Sequence, residues 1–170
     1  CLVGSEMCIR DRVVDVFNAL DGDGAFSPER AGGVPNGELV RLCYSGKYTE
    51  KEMIKQLVGK AGFNAYCGSN DARDIEAMAK NGDKHAQLVF DAFLYQVSKD
   101  IGAQAAVLSG KVDQIILTGG IAYGKYATEE ITKRVQFIAP VTVYGGEDEL
   151  LALAQGALRV LNGEEEAKVY

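Results

Sequence analysis

The residues best suited to holding a phosphorylated ligand follow a short apolar run. Gly119-Gly120-Ile121-Ala122-Tyr123-Gly124-Lys125 comes directly after Ile115-Ile116-Leu117-Thr118. Adjacent glycines let the backbone turn sharply and let a flat or charged ligand approach without meeting a Cβ. Three chemistries compete for this spacing. A dinucleotide fingerprint needs Gly-x-Gly-x-x-Gly, and Ile121 occupies its second glycine position. A P-loop needs Gly-x4-Gly-Lys-Ser/Thr, which Gly119, Gly124 and Lys125 meet until Tyr126 replaces the magnesium-binding hydroxyl. The third is an adenosine site of the actin-like ATPase type, in which a glycine pair follows a late strand. A plain packing turn is the fourth possibility.

Other residues carry weaker signals. Arg30 sits among Pro28, Ala31, Gly32 and Gly33, a constrained loop. Its guanidinium suits bidentate phosphate contact, although a surface arginine would look the same. Asp21-Gly22-Asp23 invites a calcium-loop reading, but Phe26 and Gly32 stand where an EF-hand needs Gly and Glu. Ser69-Asn70-Asp71-Ala72-Arg73-Asp74 opens a helix, with Ser69 or Asn70 as cap and acidic residues at its positive end. His85, the single histidine, reads as an exposed residue in the first turn of a helix.

The elements that must position these residues follow from periodicity. Ile115-Ile116-Leu117 reads as a strand buried on both faces. A helix follows, capped by Thr128 with Glu129 and Glu130 in its first turn, and runs to about Phe137. Val141-Thr142-Val143-Tyr144 reads as a second buried strand, and Gly145 to Glu149 leads into a final helix. Leu150, Ala154, Ala157, Leu158 and Leu161 should line the inner face of that helix. Upstream, Arg12 to Val16 reads as a lone strand remnant. Two short helices lie between Gly37 and Gly62, the second with a Thr49–Glu52 capping box. Their apolar stripes, Leu39, Val40 and Cys43, then Met53, Ile54 and Leu57, read as core. The longest helix starts at Asp83, carries Ala86, Val89, Phe90, Phe93 and Leu94 at helical spacing, and stops at Gly110. Strand, helix, strand, helix implies parallel strands, hence an α/β fold.

Bulk properties exclude several classes. The 170 residues suffice for one domain, with 47% hydrophobic and 25% charged residues. A net charge of -6 and a pI near 4.9 argue against nucleic acid or anionic membrane as partner. No apolar run approaches the ~20 residues that span a bilayer. The four cysteines lack metal-ligand spacing and read as reduced thiols of a cytoplasmic protein, with Cys43 and Cys67 in core segments. Residues 1–12, CLVGSEMCIRDR, have no signal-peptide pattern and resemble a translated sequencing adapter, which would put the start of genuine protein near Val13.

Four collinear segments carry a resemblance: Val13 to Gly33, Gly62 to Asp74, Ile115 to Tyr123 and Gly145 to Leu161. Together they resemble the acetate and butyrate kinase family of actin-like phosphotransferases, the butyrate kinases above all. The resemblance implies the C-terminal half of an enzyme with two ribonuclease H-like domains around a cleft. Residues 13–170 would be an incomplete nucleotide-binding domain with a helical insertion at about 36–82. The implied reaction joins ATP and a short-chain carboxylate to give ADP and an acyl phosphate, reversibly and with Mg2+. The fragment alone is expected to be inactive, and the full-length protein to be a homodimer.

By the same resemblance, Arg30 matches the active-site arginine that holds the transferring phosphoryl group. Asp71, Ala72 and Arg73 match one nucleotide-contacting segment. Gly119 and Gly120 would accommodate adenosine, and Gly120, Ile121, Ala122, Tyr123 and Gly124 match a second nucleotide segment. Acetate kinases have Gly-Glu-Asn where this chain has Ala122-Tyr123-Gly124. Glu149 matches a magnesium-linked glutamate, beside its ordinary role of compensating a helix end. Phe17 departs from the family, which carries asparagine there. The alternatives are a non-enzymatic nucleotide-binding or sensing module of this fold, or a kinase for branched-chain or propionate substrates.

Overall fold

The structure is a computed structural model that describes residues 6–9, 12–18, 21–146 and 149–167. In chain order, strands β1 (Glu6–Ile9) and β2 (Arg12–Val16) precede five helices. These are α1 (Asn36–Cys43), α2 (Glu50–Leu57), α3 (Gly62–Cys67), α4 (Ala72–Lys80) and α5 (Lys84–Val107). Strand β3 (Ile115–Gly119), a 3-10 turn (Gly120–Tyr123), α6 (Lys125–Val135), β4 (Val141–Gly145) and α7 (Glu149–Leu161) follow.

Helix α5 is the axis of the packed region. Asp83 caps it by accepting from the backbone N–H groups of His85 and Ala86. Its far end unwinds through Ser109 (φ 52°) and Gly110 (φ 74°). Ala86, Val89, Phe90, Phe93 and Leu94 recur every three or four residues and are all buried. They meet Phe63 from α3, Ile75 from α4, and Ala127, Ile131 and Val135 from α6. Phe63 and Phe93 stand edge to face at 5.2 Å, and Phe90 and Tyr126 stack at 6.2 Å. Each fully buried phenylalanine contributes up to about 3 kcal/mol relative to exposure.

Strands β3 and β4 are parallel, in register from Ile115 opposite Val141 to Gly119 opposite Gly145. The expected α/β order is therefore present, but the strands are not buried on both faces. Ile115 and Leu117 face the core, whereas on the other face Ile116 is 59% and Tyr144 63% exposed. Among the described residues, nothing covers that second face. The same holds for α7, where Leu150 is 85% and Leu161 80% exposed instead of packed inward. Helix α1 buries no residue, α2 buries only Met53, and Cys43 is exposed. Amphipathic spacing formed these helices, but the surfaces their stripes would pack on are not among the described residues.

Two further expectations are corrected. Strand β2 is not alone, because it pairs antiparallel with β1, which lies inside the adapter-like segment. Helix α6 starts at Lys125 and not at Thr128, because the 3-10 turn leads straight into it and Gly124 serves as its cap. The Thr128 hydroxyl instead bonds back to the Gly124 carbonyl at 3.2 Å.

Candidate active site

Arg30 lies on a loop, residues 24–33, held from two directions. On one side, Gly59 and Ala61 donate backbone N–H bonds to the Glu29 carbonyl at 2.7 and 3.2 Å. Ala31 donates to the Leu57 carbonyl at 2.8 Å, and Asn64 to that of Pro28 at 2.9 Å. On the other side, Ala25 and Phe26 donate to the Asp100 and Gln96 side chains of α5. Ser27 N–H closes the turn onto the Arg30 carbonyl at 3.1 Å. The loop packs so tightly that a Cβ on Gly62 would sit 1.7 Å from the Ser27 carbonyl oxygen. Phe26 anchors it below, with ring contacts to Phe63, Tyr66 and Phe93 at 5.9 Å. Within this frame the Arg30 Nε is buried and has no hydrogen-bond partner. A buried N–H without an acceptor is costly.

Asp71-Ala72-Arg73 forms the start of α4. The cap is Asp71, not Ser69 or Asn70: its carboxylate accepts from the backbone N–H of Arg73 at 2.9 Å. Ser69 supports it, accepting from Asp71 N–H at 3.1 Å and donating to Asp74 at 2.7 Å. The Arg73 guanidinium folds back onto the same Asp71 carboxylate, Nε to Oδ1 at 2.9 Å. Side-chain and backbone bonds from Arg73 together hold the Asp71 carboxyl down at about 2. Arg73 remains mostly exposed, with its charge matched locally.

The glycine turn closes β3. Gly119 takes φ 91° and ψ 174°, a conformation open in practice only to glycine. Gly119 and Gly146 exchange backbone hydrogen bonds of 3.1 and 3.2 Å, which clasps the ends of β3 and β4 together. Ile121 packs against the core, Ala122 is half-buried, and Tyr123 is exposed. The Tyr123 ring lies over Gly145 and Gly146, where an added Cβ would meet it at 2.9 and 2.4 Å. Sequence reading missed this pair as site residues, although the doubled glycine at a strand end was the available signal.

Tyr126, the residue that spoils a P-loop, turns away from the glycines. Its hydroxyl donates to Asp91 at 2.7 Å and accepts from Gln87 at 3.0 Å. The Asp91 bond and burial push its phenol up to about 12. The first turn of α6 is thereby fixed to α5.

These parts are joined as follows. The Glu76 carboxylate of α4 lies beside Gly124, where a Cβ would approach it at 3.4 Å, so α4 meets the end of the glycine turn there. The Arg30 loop and the Asp71 cap lie at opposite ends of the six-residue α3, ~9 Å of helix. His85 hydrogen-bonds the Tyr66 carbonyl at 3.0 Å, a structural contact between α5 and α3. Glu149 opens α7, and its side chain lies outside the described residues. Among the described residues, no cluster of three carboxylate, histidine or cysteine side chains could hold a metal. A shallow depression over Thr49, Lys51, Ile54 and Lys55 lies on α2, apart from all of these residues.

The sequence model of the Acetokinase family matches residues 23–166. The chain belongs to the Acetokinase family. It is 62% identical over 159 residues to Butyrate kinase 2 of Clostridium acetobutylicum and 58% identical to a probable butyrate kinase of Clostridium botulinum. Each alignment covers 94% of this chain and 45% of the relative. The chain thus spans about half the length of the curated relatives it matches. Among solved structures, a propionate kinase from Francisella tularensis superposes with a TM-score of 0.77 at 19% identity. That match covers 87% of this chain and 44% of the other. An acetate kinase from Entamoeba histolytica gives 0.78 at 18%, covering 91% and 48%. At such identities the likeness is one of fold, a mixed α/β arrangement that covers about half of each of those chains.

Proposed function

We propose that this chain is the nucleotide-side part of a butyrate kinase. Residues 13–170 would form the incomplete nucleotide-binding domain, with residues 36–82 as a helical insertion. In the complete enzyme, a carboxylate oxygen of butyrate attacks the γ-phosphorus of ATP. The bond to the ADP oxygen breaks, and butyryl phosphate and ADP result; the reverse makes ATP. The names of the relatives support the substrate class. A carboxylate is already nucleophilic, so positioning and charge neutralisation are what the protein must supply.

The observation that carries this reading is Arg30, a guanidinium on an immobilised loop whose buried Nε has no partner. It would hold the equatorial oxygens of the phosphoryl group in transit. The Asp71–Arg73 cap and the Gly119–Gly124 turn would hold the nucleotide, the first by side-chain and backbone polar groups, the second by close backbone approach. Magnesium belongs to this chemistry, but the described carboxylates do not form a site for it. Asp71 is bound to Arg73 and Glu76 to Lys80. Glu149 stays a proposed magnesium-linked residue. A homodimer in the cytoplasm is the proposed setting.

The test uses the complete kinase carrying this sequence. Arg30→Ala should lower kcat by ~10³-fold or more while ADP affinity, measured by calorimetry, changes little. Turnover within a few-fold of the parent would remove Arg30 from the mechanism. Residues 13–170 alone should form no butyryl phosphate.

A further inference from the structure

Two side chains of α5 reach the Arg30 loop from far along the chain. Asp100 Oδ2 accepts from Ala25 N–H at 2.7 Å, and Gln96 Oε1 accepts from Phe26 N–H at 3.2 Å. They are four residues apart, so they occupy one stripe of the helix. Gly24, at φ 78°, passes so close that a Cβ there would meet Asp100 Oδ2 at 3.4 Å and Phe17 at 3.3 Å. From these two bonds the connection to Arg30 is short. Phe26 leads to Ser27, whose N–H holds the Arg30 carbonyl, while Gly33 N–H closes the loop onto the Gly24 carbonyl at 2.9 Å.

A carboxylate is a costly way to satisfy one backbone N–H in this place. Burial pushes the Asp100 carboxyl up, and Asp23 adds repulsion, against the Ala25 hydrogen bond and the charge of Lys99. An ionised acceptor makes a shorter and stronger bond than an amide. The opposite side of the loop is fixed by backbone bonds, with no side-chain acceptor among them. Asp100 and Gln96 are therefore the adjustable half of the frame.

We propose that Asp100 and Gln96 are positioning residues that set the reach of Arg30 toward the transferred phosphoryl group. The inference rests on the reading of Arg30 as the phosphoryl clamp. A guanidinium displaced by a fraction of an ångström loses alignment with the transition state before it loses ground-state binding.

In the complete kinase, Asp100→Ala should lower kcat by ~10- to 100-fold with the KM for ATP within about two-fold. Asp100→Asn, whose carbonyl can accept the same N–H, should restore turnover to within a few-fold of the parent. Combined with Arg30→Ala, Asp100→Ala should add no further loss, because both act through one group. Parental kcat in folded Asp100→Ala, or a loss that multiplies fully with that of Arg30→Ala, would overturn the inference. If Asp100→Ala does not fold, Gln96→Ala takes its place, with a smaller kcat loss expected and parental kcat overturning the idea. Arg30→Ala alone separates the failures. If it is as active as the parent, the clamp reading falls and this inference with it; if it is inactive while Asp100→Ala is not, only the inference falls.

Discussion

The Arg30 loop and the Gly119–Gly124 turn are of opposite construction. The first is braced by α5 side chains, by the 57–64 backbone and by an aromatic cluster beneath. The second depends on one positive-φ glycine, a two-bond clasp to Gly146, and a tyrosine ring lying on bare backbone. Under the proposed function, the difference teaches where precision is needed. A group that must meet a transition state is held rigidly. A surface that must admit and release a nucleotide is shaped by what has been left off its backbone.

The sharpest way to break the rigid side is Gly62→Ala. The added methyl would overlap the Ser27 carbonyl oxygen, and φ 58° already disfavours any side chain. A loss above about 3 kcal/mol in denaturant unfolding is expected, together with abolished turnover. A variant of parental stability would show that the loop is not braced as described.

On the open side, Gly119→Val should weaken ADP binding ~10-fold or more, because φ 91° with ψ 174° is closed to a β-branched residue. Calorimetry showing unchanged ADP affinity would separate the turn from the nucleotide. A smaller effect is expected behind the turn. Tyr126→Phe removes the hydroxyl between Asp91 and Gln87, at a cost of ~1–2 kcal/mol in unfolding, with little change in ADP affinity.

The smallest expected effect is at Asp71. Its folded carboxyl titrates at about 2, below the ~3.9 of an unfolded chain, so its contribution to stability is present above the unfolded value. That contribution should fade as pH falls from about 4 toward 2. A carboxyl titration followed by NMR in Arg73→Ala should find Asp71 moved back up toward its ordinary value. An unmoved Asp71 would mean that the cap geometry, not Arg73, holds it down.

Much of this was legible because it is local. The Thr49–Glu52 capping box forms as written, and Asp83 and Gly110 bound α5 as the periodicity requires. The glycine turn after Leu117 was readable from residue type alone. The misses have physical causes. Ser69, Asn70 and Asp71 can each cap a helix, and the choice fell to the one whose carboxylate also meets Arg73. Helix α3 starts at Ala61-Gly62 with no side-chain cap, so nothing announced it. The α6 start was hidden for the same reason, with Gly124 in the cap position. The braces on Arg30 come from Gln96 and Asp100, 70 and 75 residues from their partners in sequence, a distance over which no pattern is visible. Apolar spacing likewise gave α7 a face, but not what would cover it.

That uncovered helix bears on handling the protein. With Leu150, Leu151, Leu153, Leu158 and Leu161 turned to solvent, this stretch is an oily amphiphile in water. Preparations of these residues alone should be sticky at high concentration and be kept dispersed by mild detergent.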